Sequence, residues 1–138
     1  WLTLARGVAV ACLIVVGVVY NGFVPGTGSA PPWVSAVLHI ALPLYAVLDW
    51  TFIRDRPPQP WRTLWLVLPY PLVWLLVVFL RGHTDGWVPY GFLLPSRGLG
   101  ALVLTSLGLL AMLLAAGAAV WALSRIVLPR RRGVGAPR

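Results

Sequence analysis

Residues 99–128 read LGALVLTSLGLLAMLLAAGAAVWALSRIVL, and no charged side chain interrupts them before Arg125. A helix that crosses the hydrocarbon core of a bilayer needs about 20 consecutive apolar residues. This stretch exceeds that length, and it lacks the polar face that a helix on the surface of a water-soluble domain must carry. It reads as a transmembrane helix, so hydrocarbon is the solvent against which the other segments are judged.

Three more stretches have the same character. They run over residues 4–24, with only Arg6 near the start, over residues 33–53, and over residues 61–80. With the span at 99–128 they predict an all-α membrane protein, a bundle of four transmembrane helices, followed by a basic tail at residues 129–138. Composition agrees. The chain is 59% hydrophobic and 10% charged, where soluble domains average about 45–50% and 25%. That is too little charge to coat a globule, which excludes a water-soluble enzyme or binding domain. Disorder is excluded too, because it requires low hydrophobicity.

Proline and glycine punctuate the junctions, as helix ends require. The turn from Val24 to Pro32 and the turn from Arg54 to Pro60 are short, whereas the connection from Arg81 to Gly98 is longer and rich in aromatics. Gly28-Ser29-Ala30 has the small residues of a signal-peptide cleavage site. However, Pro31-Pro32 follows it and the apolar run before it is too long, so the first stretch is read as a retained span. Pro69 and Pro71 lie inside the third span and predict a kink. Gly108, Ala111, Ala115, Ala118 and Ala119 form a small-residue stripe on the fourth span, expected to pack against a neighbouring helix.

All eleven basic residues are arginines and the acids are Asp49, Asp55 and Asp85. The arginines cluster at the ends of apolar runs instead of forming the basic face that nucleic acid requires, so no nucleic-acid partner is expected. Four spans put both termini and the 54–62 turn on one side, with nine arginines there against Arg81 and Arg97 on the other. By the positive-inside rule both termini are expected in the cytoplasm, in the cell membrane, with lipids as the partners. Arg130-Arg131-Arg132 reads as stop-transfer charge. Cys12, His39 and His83 are too sparse for a metal cluster, and no metal or other cofactor is expected.

Polar groups inside the spans are the informative ones, since an ionisable side chain at membrane depth is expensive. His39 lies roughly 9 Å in from Trp33 at 1.5 Å per residue, and Asp49 sits about 15 Å further along the same helix. A direct pair between them is ruled out. Asp49 is expected to be structural, paired with Arg54 or Arg56. His39 has two readings: a hydrogen bond to a neighbouring helix, through a backbone carbonyl or Tyr20 or Asn21, or a catalytic or ligand role. Pro43 has no N–H and so leaves the His39 carbonyl without its usual partner. The connection carrying His83, Asp85, Trp87 and Tyr90 is expected to lie over the outer end of the bundle as an aromatic lid. His39, Tyr20, Asn21, His83 and Asp85 would then share the outer side.

Val19-Tyr20-Asn21, Leu38-His39-Ile40-Ala41-Leu42-Pro43, Leu48-Asp49-Trp50, Pro69-Tyr70-Pro71 and Gly86-Trp87-Val88-Pro89-Tyr90-Gly91-Phe92-Leu93 follow one another in an order that resembles bacterial six-helix membrane proteins of the Pr-six-Pr type. Those are similar to the animal androgen-induced, FAR-like family, some members of which are intramembrane threonine hydrolases acting on fatty acid esters of hydroxy fatty acids. The resemblance implies that His39 stands at the active-site histidine. It also implies that the nucleophilic threonine lies on a segment before Trp1, within two further N-terminal helices, so that the four spans are part of a six-helix bundle. Thr3 is a full span away from His39 and does not replace that nucleophile. Two functions are therefore expected: a lipid-ester hydrolase in its full-length form with His39 as general base, or a non-catalytic protein that binds or passes a lipid or small hydrophobe.

Overall fold

A computed structural model describes residues 1–26, 30–53 and 56–126 of the chain. Among these residues the structure is all-α, with four helical spans long and apolar enough to cross a membrane: Leu2–Phe23, Pro32–Phe52, Trp61–Thr84 and Leu99–Leu123. The side chains of the spans mostly face outward. Only 11% of the most apolar window of the fourth span is buried inside the protein. In water that surface would drive aggregation; in a bilayer it meets acyl chains. The basic tail at 129–138, with Arg130, Arg131 and Arg132, lies outside the described residues, as do Gly28, Ser29, Arg54 and Asp55.

Two spans are irregular, and proline accounts for both. The second begins as α2 (Pro32–Ala36), passes through a π-helical turn at Val37–Ala41 and continues as α3 (Leu42–Phe52). In the π turn the Leu42 N–H reaches back to the Val37 carbonyl, five residues away. Pro43 follows at once. The third span starts as a 3-10 helix over Trp61–Val67 and becomes α4 at Pro69–Thr84. Pro69 and Pro71 therefore occupy the first turn of an α-helix, where a missing N–H costs nothing. The expected kink takes the form of a change of helix type at Leu68.

The long first helix α1 (Leu2–Phe23) packs against α3 and against α5 (Leu99–Leu123). Their shared core is Val10, Ala11, Ala46, Trp50, Val67, Leu113, Ala116, Val120 and Trp121. The face that α5 presents runs through Leu113, Ala116, Gly117, Val120 and Trp121. This corrects the small-residue stripe: Gly108, Ala111, Ala115 and Ala119 are exposed, and a side chain at Gly108 would meet nothing within 4 Å. Gly117 makes the close approach instead, since a Cβ there would lie 2.9 Å from Leu64 and 3.1 Å from Val67. The packing face also holds the largest side chain of the helix, and burying Trp121 outweighs the smoothness of an alanine row.

Hydrogen bonds at one end of the bundle tie the spans together. The buried Trp50 indole donates to the Val120 carbonyl at 2.9 Å, and the Trp121 indole donates to the Pro60 carbonyl at 3.0 Å. Gln59 and Ser124 are buried there; the Gln59 amide donates to the Ser124 hydroxyl at 2.9 Å. Arg125 donates to the carbonyls of Gln59 and Trp121 and stacks over Trp61 at 4.4 Å. At the other end a smaller core of Leu75, Val78 and Leu93 joins α4 to the connection after it.

Candidate functional site

A polar cluster inside the spans is built where α1 crosses the π turn. Gly17 permits the approach, because a Cβ there would lie 3.3 Å from both the His39 carbonyl and Pro43. The carbonyl that Pro43 leaves free accepts the Asn21 side-chain amide at 2.9 Å, while the same amide also donates to the Gly17 carbonyl at 2.7 Å. Tyr20 lies flat on the His39 ring, with centroids 3.6 Å apart and planes 10° from parallel. The His39 Nδ1 is 2.9 Å from the Ser35 carbonyl. A carbonyl only accepts, so Nδ1 carries the proton, and in the neutral ring Nε2 is left as an acceptor. No described residue hydrogen-bonds to Nε2. The structure thus brings Tyr20, Asn21 and His39 together, with the Ser35 carbonyl as a partner that sequence reasoning missed.

Asp49 is held differently from the sequence expectation. Its Oδ2 accepts from Arg6 Nη2 at 2.5 Å and from Arg6 Nε at 3.1 Å, a pair joining α1 to α3. Arg56 lies over the Trp50 ring at 4.3 Å and donates to the Ile53 carbonyl at 2.5 Å, and Arg54 lies outside the described residues. The reason is positional. Asp49 lies on the face turned to α1, while Arg56 lies beyond the end of α3. The clue was available, for Arg6 is the one charge in the first span and falls on the side predicted for Asp49.

His83, Asp85 and Trp87 stand at the end of α4, away from the histidine cluster in bonding terms. His83 is exposed. Asp85 Oδ2 accepts from Arg81 at 2.8 and 3.0 Å, and its Oδ1 accepts the Trp87 amide at 2.9 Å, while Arg81 also stacks over the Trp87 ring at 4.3 Å. The Trp87 amide and the Arg81 guanidinium hold the Asp85 carboxyl below the usual carboxylate range. These contacts close the helix end and leave the carboxylate committed. The connection then packs against α4 through Leu93. Leu93 is fully buried and Arg97 Nε donates to the Gly91 carbonyl at 2.8 Å.

Tyr90 has a separate setting. Its ring stacks on Phe92 at 5.2 Å and lies 6.1 Å from Trp74. Burial, and secondarily the nearby Tyr20 phenol, raise the Tyr90 pKa, so the hydroxyl stays protonated and a donor. Tyr90, but not Tyr20, borders an apolar pocket. A half-open cavity of about 220 Å³ lies between α1, α4 and α5, walled by Val16, Val19, Leu75, Leu110 and Leu113 and bordered by Tyr90 and Phe92. Sequence reasoning missed it, because its walls are leucines and valines like those facing lipid. His39 is not among its lining residues; α1 turns Val16 and Val19 to the cavity and Gly17 and Asn21 to His39. Among the described residues no three His, Cys, Asp or Glu side chains group to hold a metal. Protein-family models, curated proteins and solved structures were each compared with the chain, and none matches it.

Proposed function

We propose that this is a multi-pass protein of the cell membrane, both termini cytoplasmic, that binds a lipid or small hydrophobe between α1, α4 and α5. The observation that carries the reading is the half-open cavity beside Tyr90 and Phe92, lined mostly by apolar side chains on three helices. A concave, mostly apolar recess of this kind suits an apolar guest. The orientation rests on the arginine count. The test is lipid retention: native mass spectrometry of the detergent-purified protein is expected to show bound lipid in wild type and its loss in Leu110→Trp, which fills the space. Equal retention in both refutes the reading.

A lipid-ester hydrolase is the second reading, favoured by one observation. The Nδ1–H of His39 is anchored on Ser35, which leaves Nε2 in the tautomer a general base uses. We assign the chain to the Pr-six-Pr, FAR-like proteins on the residues quoted above, of which Asn21, His39 and Pro43 work as one unit. In this reading a threonine on an upstream helix supplies the nucleophile. Turnover of long-chain lipid esters by wild type but not by His39→Gln is expected; equal turnover rejects His39 as base.

A further inference from the structure

The cavity beside Tyr90 shares part of its lining with a second space, and the two are taken together as one track. A groove of about 770 Å³ follows α1 from Leu2 to Val16, with Leu66 and Tyr70 opposite, and it shares Cys12, Val16 and Tyr70 with the cavity. From Leu2 to Val19 the joined track is roughly 25 Å long at 1.5 Å per residue. The cavity alone is below the roughly 300–1,000 Å³ of sites that enclose a whole drug-sized ligand. It therefore suits one segment of a chain whose remainder leaves along the groove.

The chemistry of the walls narrows the occupant. Among the described residues no charged side chain lines either space, and the polar groups of the cavity are phenols, an indole and the Cys12 thiol. The cations nearest in sequence to the turn are engaged: Arg81 by Asp85 and Trp87, Arg97 by the Gly91 carbonyl. An anionic head would thus enter a low-dielectric site without an opposite charge in its walls, which is costly. The Tyr90 hydroxyl, on a residue bordering the cavity, hydrogen-bonds to no other described residue and stays protonated. It offers one donor to an uncharged oxygen.

We infer that the track holds an uncharged single-chain lipid, such as a long-chain alcohol or monoacylglycerol, with its oxygen at Tyr90 and its tail running past Val16 and Cys12. This rests on the hydrophobe-binding reading above and adds the head chemistry and the direction of the tail. The test uses the full chain in detergent and two photoreactive probes of equal length, each with a mid-tail diazirine: a long-chain alcohol and a permanently charged alkyl sulfonate.

The alcohol probe is expected to label residues 12–19 and 109–113, to be displaced by unlabelled alcohol, and to exceed the sulfonate about tenfold. Tyr90→Phe is expected to weaken the alcohol by roughly three- to tenfold, as loss of one hydrogen bond does, and Leu110→Trp to abolish track labelling whatever the head. Equal labelling by both probes overturns the uncharged class and leaves the hydrophobe reading standing. Unchanged affinity in Tyr90→Phe overturns the placement of the head. Track labelling no stronger than at the exposed Val103, Leu104 and Leu107 overturns the inference and the underlying function together.

Discussion

Pro43 has no N–H to offer the His39 carbonyl, and in hydrocarbon no water takes its place. Asn21 supplies the donor from another helix. Asn21→Leu is therefore expected to destabilise the protein by about 1 kcal/mol, and by less in a Pro43→Ala background, where the backbone donor returns. Thermal unfolding of the four variants in detergent checks this, and strictly additive effects contradict it. Asp85 gives a pH prediction. Its carboxyl is held below the ordinary range, so its stabilisation of the α4 end is present above the unfolded-state pKa and is lost as pH falls through the lower folded-state value. The Trp87 amide NMR shift is expected to stay constant down to the ordinary carboxylate range and to move only below it, and in Asp85→Asn to show no such step. At this scale the sequence was legible where polarity was scarce. His39, Asn21 and Pro43 could be connected because so few polar groups were present to satisfy one another. Arg6 was overlooked as the partner of Asp49 because pairing was sought along the chain, and folding brought together residues 43 positions apart.

The elements are governed by apolar length, and length is what a sequence states most directly. Four spans were predicted near their observed positions; α5, the helix of the fourth span, ends at Leu123 where the apolar run suggested residue 128. What length does not state is helix type and facing. The 3-10 segment at Trp61–Val67 and the π turn at Val37–Ala41 arise from prolines that follow each of them. The face that α5 buries is set by Trp121 and Gly117, which periodicity alone does not single out in a helix apolar all round. Gly117→Val is expected to push the 3-10 segment off α5, lowering stability by about 1–3 kcal/mol as overpacking does. Leu64→Ala in the same chain should recover part of that loss, since Leu64 is the nearest atom met. Chemical or thermal unfolding of the single and double variants decides it, and an unaffected single variant removes the close-approach argument.

For the molecule as a whole, the charge distribution predicts a topology. In a Cys12→Ala background, cysteines at Gly22 and His83 are expected to react with a membrane-impermeant thiol reagent added outside intact cells, while Pro58→Cys reacts only after permeabilisation. The reverse pattern overturns cytoplasmic termini. The cavity was invisible in the sequence, since a leucine lining a void and a leucine facing lipid are the same letter. The Trp50 indole has a wider consequence. Its acceptor, the Val120 carbonyl, lies 70 residues downstream, so a ribosome that has delivered two spans to the translocon has produced the donor long before its acceptor. Until the last span is released, that indole must borrow another acceptor, from a lipid head or the insertion machinery. Chains stalled before then carry an unfinished bundle that quality control has reason to recognise.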